Sequence, residues 1–273
     1  MLPPDAQHES SNSFQERPLA MSHLPTPDRV TPPGIVQPFV RLRTRLERFG
    51  PLRDVRLDVP RTPHSFHILQ PESIDPFLDA VEFDPEQNLP YWAELWPSGL
   101  ALAGTILRHG GALYGKRALE IGSGLGVTAI AAIAAGARLT VADYSSTSLL
   151  FCRYNALRNT GRQPRTFQLN WRQPSKGLLT EAASGFDAIL AADILYESRD
   201  VEPLLALIDR LITPSGILWL AEPGRPVARV FLDALRRSGW SGTVEHYEGP
   251  WPDPKDVGVR VRVHRLRRAR TAG

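Results

Sequence analysis

Residues 117–126 have the sequence Arg-Ala-Leu-Glu-Ile-Gly-Ser-Gly-Leu-Gly, and this stretch decides the fold. The apolar residues Ala118, Leu119 and Ile121 indicate a short buried strand that runs into three glycines. The apolar residues from Val127 to Ala135 then predict a helix. A strand, a glycine turn and a helix in this order are typical of a ligand cradle in an open α/β sheet. Glycine permits positive φ and lets the backbone approach a ligand closely.

The spacing of the glycines separates this turn from two nucleotide-binding motifs. A dinucleotide fingerprint needs a glycine at position 127, where this chain has valine, and a phosphate loop needs a Lys-Ser/Thr pair that is absent here. The motif therefore favours a nucleoside ligand without a phosphate chain, for which S-adenosylmethionine is the candidate. A purely structural glycine turn is the alternative. We expect the motif to supply cofactor-binding residues, namely Glu120, Gly122, Ser123, Gly124 and Gly126.

Composition excludes several classes of protein. The 273 residues allow one large domain or two small ones, and 42% are hydrophobic, which is enough for a sizeable core. The single cysteine, Cys152, excludes a disulfide framework, and the scattered histidines lack zinc-ligand spacing, so we expect no metal. A net charge of +3 is a weak argument for a nucleic-acid partner. No apolar run approaches the ~20 residues of a membrane span, and residues 1–20 lack the apolar core of a signal peptide. We expect a soluble, cytoplasmic protein.

A second strand, Leu139–Asp143, ends at an acidic residue. Asp143 follows Gly122 by 21 residues, close to the offset of about 20 at which a carboxylate meets the hydroxyls of a ribose. A ribose diol offers two donors and a carboxylate two acceptors, so this role is favoured. The alternative is that Asp143 caps the next helix, because Ser145 and Ser146 follow it.

The remaining pattern predicts a doubly wound, mostly parallel, seven-stranded α/β sheet, because strands alternate with helices from residue 117 to residue 238. The further strands are predicted at Thr166–Trp171, Phe186–Leu195, Gly216–Ala221, Thr243–Tyr247 and Val257–Val263. The helices are predicted at Gly99–Arg108, Ser146–Arg158, Val201–Leu211 and Val227–Ser238.

The chain divides into four parts. Residues 1–33 are rich in proline and predict a disordered tail. Residues 34–90 predict an N-terminal extension with a short basic helix, a hairpin and a short helical lid. Residues 91–268 form the α/β domain, and residues 269–273 a disordered tail. The arginines between Arg265 and Arg270 could contact RNA, but a frayed, solvated terminus is the preferred interpretation.

Residues 91–99, Tyr-Trp-Ala-Glu-Leu-Trp-Pro-Ser-Gly, contain two tryptophans next to a proline and an acid. Ser98 is expected to cap the helix that follows. Trp92 and Trp96 either anchor the extension on the α/β domain, or one of them covers the cofactor.

Together, the segment Gly122-Ser-Gly-Leu-Gly126, Asp143, Asn170-Trp171 and Asp193-Ile-Leu-Tyr196 resemble the class I S-adenosylmethionine-dependent methyltransferases. Within that class they resemble the family 16 group of methyltransferase-like proteins. Most members of that group are protein lysine N-methyltransferases, with some histidine or arginine enzymes and a nicotinamide-methyltransferase-like branch. The resemblance covers roughly residues 90–224 and implies a Rossmann-like methyltransferase fold.

The resemblance also implies a role for each matching residue. Trp96 would pack on the cofactor, and Gly122–Gly124 would line its methionine and ribose parts. Asp143 would hold the ribose hydroxyls, and the adjacent Tyr144 would be a further cofactor-binding residue. Asn170 and Trp171 would lie near adenine, and Ala192 would contact the cofactor through its backbone. Asp193 and Tyr196 would border the methyl-transfer site as catalytic residues. Asn170 is a departure, because many relatives have an acid there, although an amide carbonyl can still accept a hydrogen bond from the adenine amine.

The expected function is therefore S-adenosylmethionine-dependent methylation of a lysine in a protein partner. A lysine amine must lose its proton before transfer, and Asp193 is a better positioner of that amine than an activator. A small-molecule N-methyltransferase of the nicotinamide type is the second hypothesis. An RNA methyltransferase is the third, and Ile194 and Leu195 argue against it, because base amino-methyltransferases usually carry two prolines there. A non-catalytic scaffold is disfavoured by the intact glycine turn and Asp143.

Overall fold

The computed structural model describes residues 33–269. The two predicted tails lie outside these residues, except for Pro33 and Ala269. Within them the chain forms eight α-helices and nine β-strands. The helices are α1 (Pro33–Leu46), α2 (Asp75–Glu82), α3 (Pro97–Arg108), α4 (Val127–Ala134), α5 (Ser146–Thr160), α6 (Lys176–Glu181), α7 (Val201–Leu211) and α8 (Pro226–Arg237). The strands are β1 (Leu52–Asp58), β2 (Ser65–Pro71), β3 (Arg117–Ile121), β4 (Arg138–Asp143), β5 (Arg165–Gln168), β6 (Phe186–Ala192), β7 (Ile212–Glu222), β8 (Trp240–Tyr247) and β9 (Val261–Arg268).

Seven of these strands form one sheet in the order β5-β4-β3-β6-β7-β9-β8, which confirms the predicted doubly wound α/β fold. Strands β3 to β7 are paired in parallel, whereas β9 is antiparallel to both of its neighbours. The chain runs outward from β3 to β5 and then returns to β6 on the other side of β3. Open α/β sheets bind their ligands at such a reversal, beyond the carboxyl ends of the strands.

The sheet has a hydrophobic core on each face. Successive residues of β6 alternate between the two cores, with Ala188 and Leu190 in one and Ile189 and Ala191 in the other. Successive side chains of a strand point to opposite faces, so the apolar run of β6 is buried on both sides. The first core also contains residues of α3, α4 and α5, and the second contains residues of α7 and α8.

The glycine turn between β3 and α4 depends on close packing. Gly122, Gly124 and Gly126 have φ values of +72°, +50° and +87°. A Cβ atom at Gly126 would lie 2.9 Å from both Cα and Sγ of Cys152 on α5. Glycine is therefore required where α4 begins, next to the buried free thiol of Cys152.

The N-terminal extension packs on the main sheet through α5. Strands β1 and β2 pair antiparallel as the predicted hairpin and form a separate two-stranded sheet. The buried Asn155 of α5 accepts a hydrogen bond from the Leu69 N–H (2.8 Å) and donates to the carbonyl oxygens of Leu69 (3.0 Å) and Leu125 (2.9 Å). One side chain thus links the hairpin to the end of the glycine turn.

Two predicted strands end earlier in the structure. Strand β6 stops at Ala192 rather than Leu195, because Asp193 adopts φ +57° and the chain leaves the sheet there. Strand β5 stops at Gln168, and Asn170 forms only an isolated bridge with Gln173. The residues that follow both strands are consequently free to line the sheet edge.

The prediction for the last strand was wrong at both of its ends. It begins at Val261 rather than Val257, because residues 254–256 form a 3₁₀ turn and Gly258 has φ +85°. The arginines from position 265 onward were predicted to be a frayed terminus, but Arg265 and Arg267 lie in β9. Arg265 packs over the Trp219 ring at 5.4 Å, and Arg267 donates to the Ser215 carbonyl at 2.7 Å. These arginines brace the sheet.

Candidate functional site

A cavity of about 340 Å³ lies at the carboxyl ends of β3, β4 and β6. This volume is within the range of about 300–1,000 Å³ that is typical of small-molecule sites. Ten of the thirteen predicted site residues line the cavity, namely Trp96, Gly122, Gly124, Asp143, Tyr144, Asn170, Trp171, Ala192, Asp193 and Tyr196. The other three, Glu120, Ser123 and Gly126, are not among the residues that line it.

The floor of the cavity is glycine backbone. A Cβ atom at Gly122 would lie 2.6 Å from Cγ2 of Ile194, and one at Gly124 would lie 3.3 Å from the carbonyl oxygen of Trp92. Both glycines have positive φ, which L side chains rarely adopt. Larger residues would displace Ile194 or the Trp92 backbone, so the sequence keeps the floor open.

Asp143 is held in place by backbone donors. The Gly124 N–H donates to its Oδ2 at 3.0 Å, and the Ser145 N–H donates to its Oδ1 at 2.9 Å. Burial raises the pKa of the Asp143 carboxyl, and these hydrogen bonds partly oppose that rise. The cap of α5 is Ser145, whose Oγ accepts from the Ser148 N–H. Oδ1 still has a lone pair for a further donor, whereas Oδ2 also lies 3.5 Å from the Ser123 hydroxyl.

Glu120 lies behind the floor next to Asp143. Its side chain is buried, and its Oε2 has no hydrogen-bond partner among the described residues. Burial raises the pKa of Glu120 well above its ordinary value, and the negative charge of Asp143 adds to the rise. Two adjacent buried carboxyls disfavour a second charge, so Glu120 keeps its proton to a higher pH than an exposed glutamate.

Replacing Glu120 with glutamine is expected to stabilise the cofactor-free protein more at about pH 8 than at about pH 5. The raised folded-state pKa means that the folded chain binds this proton more tightly than the unfolded chain. Stability therefore falls as pH rises above the ordinary value of 4.5 toward the folded pKa, and glutamine removes that decline. Each unit of pKa shift corresponds to about 1.4 kcal/mol. Thermal unfolding across this pH range measures the effect.

The matched control is Glu47→Gln, because the Glu47 side chain is exposed and pairs with Arg43 one helical turn away. Its effect on the melting temperature should not grow with pH. A Glu120→Gln effect that stays constant from about pH 5 to about pH 8 would contradict the assignment of a proton to Glu120.

A row of aromatic rings forms one wall of the cavity. The ring centroids of Tyr91 and Trp96 are 6.1 Å apart, those of Tyr91 and Tyr196 are 5.6 Å apart, and those of Trp171 and Tyr196 are 6.3 Å apart. The Trp96 indole N–H donates to the Tyr91 carbonyl at 2.8 Å, which orients the indole ring. Aromatic faces attract cations, so this wall suits a positively charged ligand group.

Asp193 is fixed by three groups from distant parts of the chain. Its backbone N–H donates to the Ala221 carbonyl at 3.0 Å. The Ser98 hydroxyl donates to its Oδ2 at 3.0 Å, and the Arg225 guanidinium donates to its Oδ1 at 3.2 Å and 3.1 Å. Burial raises the pKa of the Asp193 carboxyl, and Arg225 partly offsets this. The prediction that Ser98 caps α3 was wrong, because α3 begins with Pro97 and the Ser98 hydroxyl bonds to Asp193.

Two tyrosines of the cavity, Tyr144 and Tyr196, stay protonated near neutral pH. Burial raises the pKa of Tyr196, and the charge of Asp200 adds to this rise. Burial and a hydrogen bond to Asp84 raise the pKa of Tyr144 to about 12. Neither phenol is suited to act as a base, and both are suited to hydrogen bonding and packing.

The extension supplies a part of the site that sequence reasoning missed. Residues of this segment line the cavity opposite the glycines, namely Phe77, Val81, Asp84, Asn88 and Leu89. Glu86 accepts a hydrogen bond from the side-chain NH₂ group of Asn170 at 2.9 Å. The side-chain oxygen Oδ1 of Asn170 accepts a hydrogen bond from the backbone N–H of Arg172 at 2.9 Å. The polar run Asp-Pro-Glu-Gln-Asn at 84–88, just before the tryptophans, is the signal that could have found it.

The described residues contain neither a cluster of metal ligands nor a membrane-spanning helix. No group of three or more His, Cys, Asp or Glu side chains within residues 33–269 is placed to hold a metal ion. No helix in the same part of the chain is both long enough and apolar enough to cross a membrane.

Comparison with known proteins gives relatives over the same region. The sequence profile of a family described as lysine methyltransferase matches residues 86–238. The chain is 33% identical over 136 residues to the protein-lysine methyltransferase METTL21E of Mus musculus, a match that covers 47% of this chain and 55% of that protein. It is 34% identical over 129 residues to the histone-arginine methyltransferase METTL23 of Homo sapiens, which covers 46% of this chain and 67% of that protein. The match therefore spans about half the length of METTL21E.

Among solved structures, the chain is similar to the N-methyltransferase NodS of Bradyrhizobium japonicum in complex with S-adenosyl-L-homocysteine. The TM-score is 0.52 at 16% sequence identity, and the similarity covers 71% of this chain and 98% of that chain. At this identity the comparison establishes the shared fold alone.

Proposed function

Because the chain belongs to the lysine methyltransferase family, we propose that it transfers a methyl group from S-adenosylmethionine to a lysine side chain of a protein partner. One observation carries the proposal. The cavity at the sheet edge joins the glycine floor and Asp143 on one side to Asp193 and Tyr196 on the other. A cofactor half and a reaction half thus face the same space.

The residues of the cavity fit the proposed cofactor. A side chain at Gly122 or Gly124 would press on Ile194 or on the Trp92 backbone, which both line the cavity. We propose that Asp143 binds the ribose hydroxyls, that Tyr144, Asn170 and Trp171 surround the base, and that Trp96, Ala192 and the glycines contact the remainder. Glu120, Ser123 and Gly126 support the floor from behind. When bound, S-adenosylmethionine supplies a methyl group activated by a sulfonium charge.

The task of the protein residues is then to position a neutral amine. An isolated carboxylate would hold a lysine amine in its charged form, which is not nucleophilic. Asp193 is paired with Arg225, so the two charges largely cancel at the reaction side. The Asp193 carboxylate can therefore orient an amine by accepting its N–H groups while stabilising the ammonium form less. Tyr196, protonated and next to Tyr91, adds an aromatic wall.

The decisive experiment uses cofactor with an isotopically labelled methyl group and a cell lysate. Label is expected in a discrete protein band, and mass spectrometry of that band should find the added methyl groups on lysine. The similarity to the arginine enzyme METTL23 makes methylarginine an informative contrary result. Label confined to small molecules would favour the nicotinamide-type alternative, and label in RNA would favour an RNA methyltransferase.

The domain organisation and the cellular location are also proposed. We propose that residues 34–90 complete the active site as an extension of a methyltransferase domain at 91–268. We also propose a cytoplasmic location, which fractionation of the native cells would test.

A further inference from the structure

An open groove of about 480 Å³ adjoins the cavity and shares Trp96 and Asp193 with it. Three apolar residues, Pro97, Pro223 and Val259, contribute to its walls. Trp96 and Asp193 therefore stand between the proposed cofactor space and a second opening. A substrate side chain that enters through this groove would reach the proposed transfer site without passing the cofactor-binding floor.

Asp256 is the unusual residue of this groove. It lies in the 3₁₀ turn of residues 254–256, and only 8% of its surface is exposed. Its carboxylate nevertheless has no hydrogen-bond or ion-pair partner among the described residues, although its residue lines the groove. Neither carboxylate oxygen is fully enclosed, but a carboxylate that is largely covered without gaining a partner is unfavourable. A bound cation would neutralise the negative charge of such a carboxylate.

None of the other described charges around the groove forms an ion pair with Asp256. Asp193 is paired with Arg225 at 3.1 Å. Lys255 forms ion pairs with two acids, Glu94 at 2.8 Å and Asp253 at 3.3 Å. The exposed Arg260 lies 3.4 Å from Glu248. Burial raises the pKa of Asp256, and the charge of Asp253 adds to this. The lining of the groove carries two acids, Asp193 and Asp256, and two arginines, Arg225 and Arg260. Asp256 is the acid of this lining that has no ion-pair partner among the described residues.

We propose that Asp256 receives the ammonium group of the substrate lysine in this groove, before the side chain moves past Trp96 to Asp193. The apolar walls suit the four methylene groups of a lysine, and the single unpaired carboxylate suits its point charge. The identity of the cation as a substrate lysine rests on the proposed function, whereas the cation site itself rests on the groove. A metal ion is a poorer occupant, because the acids of the described residues are not arranged as metal ligands.

The test uses n-butylammonium as the probe and n-butanol as its uncharged counterpart. Each is titrated into the ¹⁵N-labelled full chain saturated with S-adenosylhomocysteine, and amide resonances report binding. Butylammonium is expected to shift the resonances of residues 253–259 in a saturable manner, and butanol is expected to bind about fivefold more weakly or not at all. Asp256→Asn should weaken butylammonium binding by about fivefold or more. Glu248→Gln, which alters an exposed acid of the same region, should leave it unchanged.

Equal binding of butylammonium and butanol, or equal binding by the wild type and Asp256→Asn, would overturn the proposal. Asp256→Asn removes an unpaired buried charge and keeps the shape of the side chain, so loss of folding is not expected. The titration does not depend on methyl transfer. A chain that fails to bind S-adenosylhomocysteine, or that labels no protein, would refute the proposed function, whereas the cation site would still be decided by the same titration without cofactor.

Discussion

Replacing Asp193 with asparagine is expected to lower the rate of methyl transfer by about a hundredfold, while S-adenosylmethionine binds with nearly unchanged affinity. The structure holds the Asp193 carboxylate with Ser98 on one oxygen and Arg225 on the other. Asparagine keeps the size of the side chain and tolerates the positive φ of this position. It loses the negative charge, so Arg225 loses its ion-pair partner and the target amine loses an acceptor. Single-turnover kinetics with labelled cofactor measure the rate, and calorimetry measures the binding.

Two variants sharpen this test. Arg225→Gln should reproduce a large part of the loss, because it removes the group that orients the carboxylate without touching Asp193 itself. Asp58→Asn is the matched control, since Asp58 is an exposed acid on β1 whose ion-pair partner among residues 33–269 is Arg56 at 3.6 Å, and its activity should equal that of the wild type. Full activity of Asp193→Asn would remove Asp193 from the reaction side of the proposed site.

Replacing Asp143 with alanine is expected to weaken S-adenosylmethionine binding by about a hundredfold or more. Hydrogen bonds to a charged group contribute about 1.5–3 kcal/mol each. The variant loses the proposed bonds to the ribose as well as the acceptor that holds the N–H groups of Gly124 and Ser145. Isothermal titration calorimetry measures the affinity, and thermal unfolding of the cofactor-free variant shows whether the turn still folds.

Ser123→Ala is the control for this second variant. The Ser123 hydroxyl lies 3.5 Å from Asp143 Oδ2 and does not line the cavity, so the affinity should change by less than about threefold. A folded Asp143→Ala protein with wild-type affinity would refute the ribose role. Binding of a nicotinamide dinucleotide in place of S-adenosylmethionine by the wild type would refute the proposed cofactor as a whole.

The glycine turn is the part of the site that sequence reasoning identified most directly. Its spacing, the strand before it and the helix after it are local features, and φ values above zero at Gly122 and Gly126 follow from them. Asp143 was identified from its offset of 21 residues from Gly122, and the fold explains why that offset works. Parallel strands end at one edge of their sheet, so an acid that ends the second strand must lie near the turn that follows the first.

The partners of Asp193 show where such reasoning fails. Ser98 and Arg225 lie 95 and 32 residues away from Asp193 in the chain. Ser98 was predicted to cap a helix, and no sequence motif singled out Arg225. The same holds for Glu86, which meets Asn170 across 84 residues. Side chains that come from different loops meet only if those loops pack against each other, and no periodic pattern records that contact.

By itself, the sequence determined the α/β class, the order of the main strands and the glycine floor, because each depends on the conformational preferences and burial of consecutive residues. Only the tertiary structure decided how the site is completed. It pairs Asp193 with Arg225, turns the extension toward Asn170, and brings Asp256 into the same groove as Trp96, where its carboxylate has no partner among the described residues. These arrangements depend on the packing of distant segments around the sheet edge, because the partner of a charged side chain on one loop comes from another loop.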